Sequence, residues 1–297
     1  MSQSQQLTSL LSNATLNRLQ HMRLRPFRRF TNKSRGQHEH GRGGSSNEFA
    51  DFRDYVAGDD MRNVDWNIFA RLNRPYVKLY RQEEDMHVVL LVDASKSMDF
   101  DGKFLKAQQL AAAIAMMGIQ ATERISIQAF AGQQLQRLDP CTGRASLQKI
   151  FSFVERLGVG GQVPVEKGIE QLQRYHKGRG MVVILSDFLT MNADLKSAFN
   201  RLFSTGLEIY GIQILAPVER NPELTGDLRF VDSETEQLLD VTAVGGLLEI
   251  YHEYRSGLEN DLTVLCQQRS GRFISVDSTE TVEGVLFDTM KRKGWVK

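Results

Sequence analysis

From residue 88 onward the chain alternates continuous apolar runs with segments of helical period. Val88 to Val92 and Met181 to Leu185 are uninterrupted aliphatic blocks, the pattern of strands buried on both faces of a sheet. A helix is predicted from about Lys103 to Thr122; Ala107 and Leu110 to Met117 make it apolar nearly all round, so it should be buried. Residues 124–130 read as a strand and 133–138 as its hairpin partner. Residues 145–157 place Leu147, Ile150, Phe151 and Val154 on one helical face, and Pro164 suits the first turn of a helix that runs to Tyr175. After the second apolar block come a helix at 193–204, a strand at 207–215, a hairpin at 228–232 and 237–241, a helix at 247–269, a strand at 272–275 and a last helix at 279–291. This alternation predicts an α/β fold, a doubly wound and mainly parallel sheet with right-handed crossovers.

The first 82 residues read differently. Leu7, Leu10, Leu11, Ala14 and Leu19 recur at helical spacing over residues 6–22, Pro26 stops any helix there, and Gly36 to Ser46 is linker-like. Residues 48–82 interleave charges with aromatics around a Gly58-Asp59-Asp60 turn, and Tyr76 to Tyr80 alternates as a half-buried strand. A salt-bridged platform packed on the main domain is the favoured reading, against a catalytic cluster of Asp54, Asp59, Asp60 and Asp65. The expected organisation is therefore a basic arm and linker (1–47), this platform (48–82), and an α/β domain with a C-terminal hairpin and helices (83–297).

Composition adds little except in its distribution. Hydrophobic residues make up 41% and charged residues 25%, as in ordinary globular proteins. The net charge of +1 hides an asymmetry: residues 1–47 hold eight Lys or Arg against the single acid Glu39, so the rest of the chain is net acidic. Residues 18–42 could thus meet an acidic surface or an anionic membrane, and no specific nucleic acid is predicted. Cys141 and Cys266 lie far apart without metal-ligand spacing, which fits a reducing compartment. With no apolar run of membrane-spanning length and a polar N-terminus, the expected location is the cytoplasm.

The chemistry concentrates where the two apolar blocks end. Val92 runs into Asp93-Ala94-Ser95-Lys96-Ser97, and Leu185 into Ser186-Asp187. If both strands are parallel and central, these ends share the carboxyl rim of the sheet, where open α/β sheets bind ligands. Asp93, Ser95, Ser97 and Asp187 are hard oxygen donors, suited to Mg²⁺ or Mn²⁺ rather than Zn²⁺. The phosphate-loop, nucleophile-elbow and dinucleotide motifs are absent, and no His is expected near Asp93 or Asp187, so Ser95 and Ser97 lack a base to activate them.

Asp93-x-Ser95-x-Ser97 after one buried strand and Ser186-Asp187 after a later one resemble the von Willebrand factor type A fold, a Rossmann-like architecture, and its metal-ion-dependent adhesion site. Upstream, Asn47-Glu48-Phe49, Arg53-Asp54-Tyr55, Gly58-Asp59-Asp60, Arg62, Asp65-Trp66, Ala70-Arg71 and Val77-Lys78 resemble the signature of the bacterial "domain of unknown function 58" family. The resemblance implies Ser95 and Ser97 as metal ligands, Asp93 and Asp187 as direct or water-mediated donors, and a threonine on a third loop. At that point this chain has Gly160-Gly161-Gln162, with Gln162 as the stand-in donor. It further implies a non-enzymatic adaptor, using a degenerate metal-ion-dependent adhesion site, that works with a MoxR-type AAA+ ATPase in chaperone-like assembly. The alternatives are a Mg²⁺-dependent phosphoesterase using Asp93 and Asp187, and a nucleic-acid or membrane tether acting through the basic arm.

Overall fold

The computed structural model describes residues 7–26, 31–32, 48–83, 86–131, 134–161, 164–176, 178–189, 193–222, 227–231, 238–242 and 246–297. Two compact units result, one of Arg29–Asp85 and one of Met1–Arg28 with Met86–Lys297. The predicted boundary at residue 47 therefore gives way to divisions at 28/29 and 85/86. The cause is the first helix, α1 (Asn13–Leu19), which Ser12 caps and which buries Leu16 and Leu19 in the larger unit. Residues 23–25 then pair with the C-terminus, Leu24 opposite Val296, so residues 7–26 are body rather than arm.

The smaller unit holds β1 (Thr31–Asn32), β2 (Glu48–Asp54), α2 (Trp66–Leu72) and β3 (Tyr76–Glu83), with strand order β1-β3-β2, all antiparallel. Its charges serve the backbone. Arg53 grips Asp59 with both guanidinium nitrogens at 2.6 Å, and Asp59 also accepts the Val56 N–H, which holds its carboxyl below the usual range. Asp65 caps α2 through the N–H groups of Asn67 and Ile68 and pairs with Lys78 at 3.1 Å. Asp60 pairs with Arg62 at 2.8 Å.

The larger unit is built on a six-stranded sheet. In chain order it carries β4 (His87–Asp93), α3 (Lys103–Gln120), β5 (Arg124–Ala131), β6 (Gln134–Cys141), α4 (Leu147–Glu155), α5 (Val165–Tyr175), β7 (Gly180–Ser186), α6 (Ala193–Ser204), β8 (Leu207–Leu215) and α7 (Pro217–Arg220). There follow a hairpin of β9 (Asp227–Val231) and β10 (Leu238–Thr242), α8 (Leu247–Gln267), β11 (Phe273–Asp277), and α9 (Met290–Arg292). The sheet order is β11-β8-β7-β4-β5-β6, parallel except for β6. It is a doubly wound α/β sheet, as the alternation predicted. Every residue of β4, β7 and β8 is buried, which explains their lack of polar alternation. Val89 and Leu91 of β4 face a core shared with α5, α6 and α8, while α3 packs on the opposite face.

The predicted helix at 279–291 is realised largely as a π-helix over Gly284–Thr289. The Thr281 hydroxyl takes the Gly284 N–H at 3.1 Å, and a side-chain-free residue there lets the turn widen. Among the described residues, no helix is long and apolar enough to cross a membrane.

Candidate functional site at the carboxyl rim

Because β4, β7 and β8 are adjacent and parallel, their ends open on the same edge of the sheet. Asp93 ends β4. One of its carboxylate oxygens accepts the Ser95 N–H at 2.9 Å and the other accepts the Ser186 hydroxyl at 2.6 Å, so the carboxylate ties two strand ends together. Ser95 and Ser97 then place their hydroxyl oxygens 3.0 Å apart. The loop after α4 closes on this turn: Gly160 donates its N–H to the Ala94 carbonyl, and Gly161 accepts from the Lys96 N–H. The next residue, Gln162, lies outside the described residues.

Asp187 follows β7. Phe188 has φ +45°, a costly conformation for a bulky residue, of order 1–3 kcal/mol. The Ser186 hydroxyl fixes that turn by accepting the Phe188 N–H, and β8 holds it through Gln213, which donates to the Asp187 carbonyl at 2.9 Å. The turn drives the Phe188 ring into the core against Phe273, and Asp187 joins the rim. Asp101, just before α3, also has positive φ, at +46°.

Two residues complete the site that motif reasoning does not reach. Lys103, the first residue of α3, is fully buried, and its ammonium donates to Asp187 at 3.1 Å and to Glu219 of α7 at 2.7 Å. Glu219 uses its other oxygen to accept the Ala216 N–H, and its carbonyl accepts the Tyr251 hydroxyl of α8. Lys103 opens a largely apolar helix and Glu219 lies just past the third buried strand, β8, but neither position belongs to a motif.

Electrostatically the rim is short of positive charge. Lys103 is the one buried ammonium paired with Asp187 and Glu219, and Asp93 adds a third carboxyl beside them. Burial, and then the charge of Asp187, push the Asp93 carboxyl up to about 7, against the pull of its bonds to Ser186 and Ser95. Two hydroxyls, with one ammonium shared among three carboxyls, fit a hard divalent cation. The segments that follow β4, β7 and β8 each expose a large apolar side chain, Phe100, Leu189 and, in α7, Val218, at 48%, 41% and 47%. The Phe100 ring lies 6.0 Å from the Lys103 ammonium.

A family model described as "Protein of unknown function DUF58" matches residues 51–254. An uncharacterized protein of Mycobacterium tuberculosis is 28% identical over 201 residues, 65% of this chain, and this chain spans only 62% of that relative's length. Among solved structures, a conserved hypothetical protein, BatB, of Bacteroides thetaiotaomicron is similar at 12% identity and TM-score 0.44, over 70% of this chain and 98% of that one. A von Willebrand factor type A structure from Catenulispora acidiphila is similar at 16% identity and TM-score 0.35, over 46% and 34%.

Proposed function

Because this chain belongs to the DUF58 family, we propose its role from the chemistry of its own rim: a non-enzymatic module that binds a partner protein at the carboxyl edge of the sheet. One observation carries this reading, the exposed Phe100, Leu189 and Val218 that follow β4, β7 and β8 beside a buried cluster in which three carboxyls share one ammonium. These apolar side chains supply contact area, and the acid and hydroxyl set beside them supplies specificity. Ser95, Ser97 and Asp187, with Asp93 behind them, would hold Mg²⁺ or Mn²⁺, which would offer an open position to a carboxylate of the partner. Lys103 keeps Asp187 oriented and partly neutralised whether or not the ion is present. The partner we propose is a MoxR-type AAA+ ATPase, with this chain as its adaptor.

The phosphoesterase alternative draws on the acids of residues 54–65, yet Asp59, Asp60 and Asp65 are paired to Arg53, Arg62 and Lys78. For the tether alternative, Arg18 stacks on the Phe287 ring at 3.5 Å and Arg23 donates to the Gln20 and Met22 carbonyls. Arg28, Arg29, Lys33, Arg35 and Arg42 lie outside the described residues.

Pull-down of the purified ATPase by this chain tests the proposal. Binding should fall about tenfold or more in EDTA and in Ser97→Ala, a loss of about 1.4 kcal/mol or more. Phe100→Ala should weaken it under both conditions. ATPase capture that ignores EDTA and Ser97→Ala but fails in Phe100→Ala would remove the ion and keep the rim. Capture that survives all three changes would overturn the reading.

A further inference from the structure

The six-stranded sheet has two edges, and they are finished differently. β6, at one edge, carries Pro140 and shifts register against β5 between Ile125 and Ile127. A proline and a bulge are devices that stop a further strand from pairing. β11, at the other edge, reads Phe273-Ile274-Ser275-Val276-Asp277, without proline and with an unbroken register against β8.

The bonds to β8 decide which backbone groups of β11 point outward. Gly211 donates its N–H to the Arg272 carbonyl, and Ser278 donates to the Leu215 carbonyl. Residues 272, 274, 276 and 278 therefore turn their backbone groups toward β8, and the N–H and C=O groups of Phe273 and Ser275 point the other way. At the far end the Asp277 carbonyl accepts the Glu280 N–H, which closes the edge there. Among the described residues, no hydrogen bond reaches the outward groups of Phe273 and Ser275.

This edge lies along a groove. α8 contributes Glu259, Asn260 and Thr263, and the C-terminal segment contributes Thr289 and Lys293, to a cavity of about 390 Å³ that Phe273 to Ser275 also line. That volume is within the range of ligand sites. The walls carry hydroxyls, an amide and charges rather than an apolar patch. A polar groove along an unpaired backbone ladder suits an extended strand, not an amphipathic helix.

We propose that this groove is a strand-addition site, in which an extended acidic peptide of a partner protein pairs with Phe273 and Ser275 of β11. Such a peptide supplies the N–H and C=O groups that the outer edge lacks, and its side chains fall alternately to the two sides of the sheet. The charge follows from the lining. Glu259 is paired with Arg255 at 3.2 Å, whereas Lys293 is exposed and has no ion pair among the described residues. Lys291 and Arg292 beside it are exposed as well, so the groove favours acidic side chains. A second copy of this chain brings a β11 walled in the same way, and two such edges meet wall to wall. The site uses none of the rim residues Asp93, Ser95, Ser97 or Asp187.

Amide exchange of the full chain, read by NMR, tests the edge, with a fluorescein-labelled eight-residue peptide of alternating valine and glutamate as the probe. In the free chain the Phe273 and Ser275 amides should exchange about tenfold or more faster than those of Ile274 and Val276. Saturating peptide should slow both to the rate of their neighbours. Anisotropy should show saturable binding that weakens about tenfold or more in Lys293→Glu, a variant expected to fold because Lys293 is exposed. Ser275→Pro removes an outward donor and should abolish binding. Ser275→Ala keeps that donor, loses only the Arg220 bond at 3.1 Å, and should bind as the wild type does. No saturable binding, or binding unchanged in both Lys293→Glu and Ser275→Pro, overturns the proposal. Self-association of Lys293→Glu without peptide binding by the wild type would make Lys293 a guard of the edge and overturn it too.

Discussion

Lys103→Met is expected to destabilise the protein by about 3–5 kcal/mol, the cost of breaking a buried ion pair from one side. The Lys103 side chain is wholly enclosed and bridges Asp187 and Glu219, so its removal leaves both carboxylates without their ammonium. In a unit of this size, 1 kcal/mol corresponds to roughly 2–4 °C in melting temperature, so a fall of about 10 °C is expected by calorimetry. The methionine is close in length and apolar, so lost packing contributes little. Lys103→Met/Asp187→Asn should recover part of the loss, because it removes one of the stranded charges. Mg²⁺ or Mn²⁺ should stabilise Lys103→Met more than the wild type, since the variant lacks the rim's ammonium. A variant as stable as the wild type, with no greater response to Mg²⁺, would mean that the rim is not governed by its charge balance.

The sheet was legible because β4 and β7 are buried on both faces and so carry no polar alternation to confuse the reading. The strand at 207–215 and the helix at 193–204 fall where the pattern placed them for the same reason, since tertiary burial and local period agree there. Asp93, Ser95, Ser97 and Asp187 were legible as residues that interrupt an apolar run at its end. Lys103 and Glu219 were not, because a buried charge is recognisable only through its partner, and these partners are separated by 84 and 116 residues. β2 was hidden for a related reason: Glu48–Asp54 mixes charges with aromatics, and its pairing with β3 shifts register at a bulge between Phe49 and Asp51. The membership of α1 in the larger unit was equally invisible, since the Leu24–Val296 bridge joins the two ends of the chain.

Acidification should cost the wild type about 3 kcal/mol relative to His87→Gln between pH 6.5 and pH 4. Burial, then the neighbouring His176 and Arg124, lower His87 from its ordinary 6.5 to about 4. Below pH 6.5 the unfolded chain takes up a proton that the folded chain refuses, so stability falls with pH and the loss levels off near pH 4. A shift of this size corresponds to about 3 kcal/mol. Asp93 acts in the opposite sense over part of the same window. Its folded value of about 7 lies above the unfolded value of 3.8, so the folded chain takes up the extra proton as pH falls and gains stability. The raw wild-type profile is therefore shallow, and only the difference between wild type and His87→Gln isolates the histidine. Glutamine suits the comparison because its amide can still meet the Ser126 hydroxyl and does not titrate. Denaturant midpoints measured in EDTA from pH 8 to pH 4 should give difference curves that are flat above pH 7 and steepest between pH 6 and pH 4.5. A difference that stays flat throughout would mean that His87 is protonated as readily folded as unfolded, and the buried, neutral imidazole pair would have to be abandoned with it.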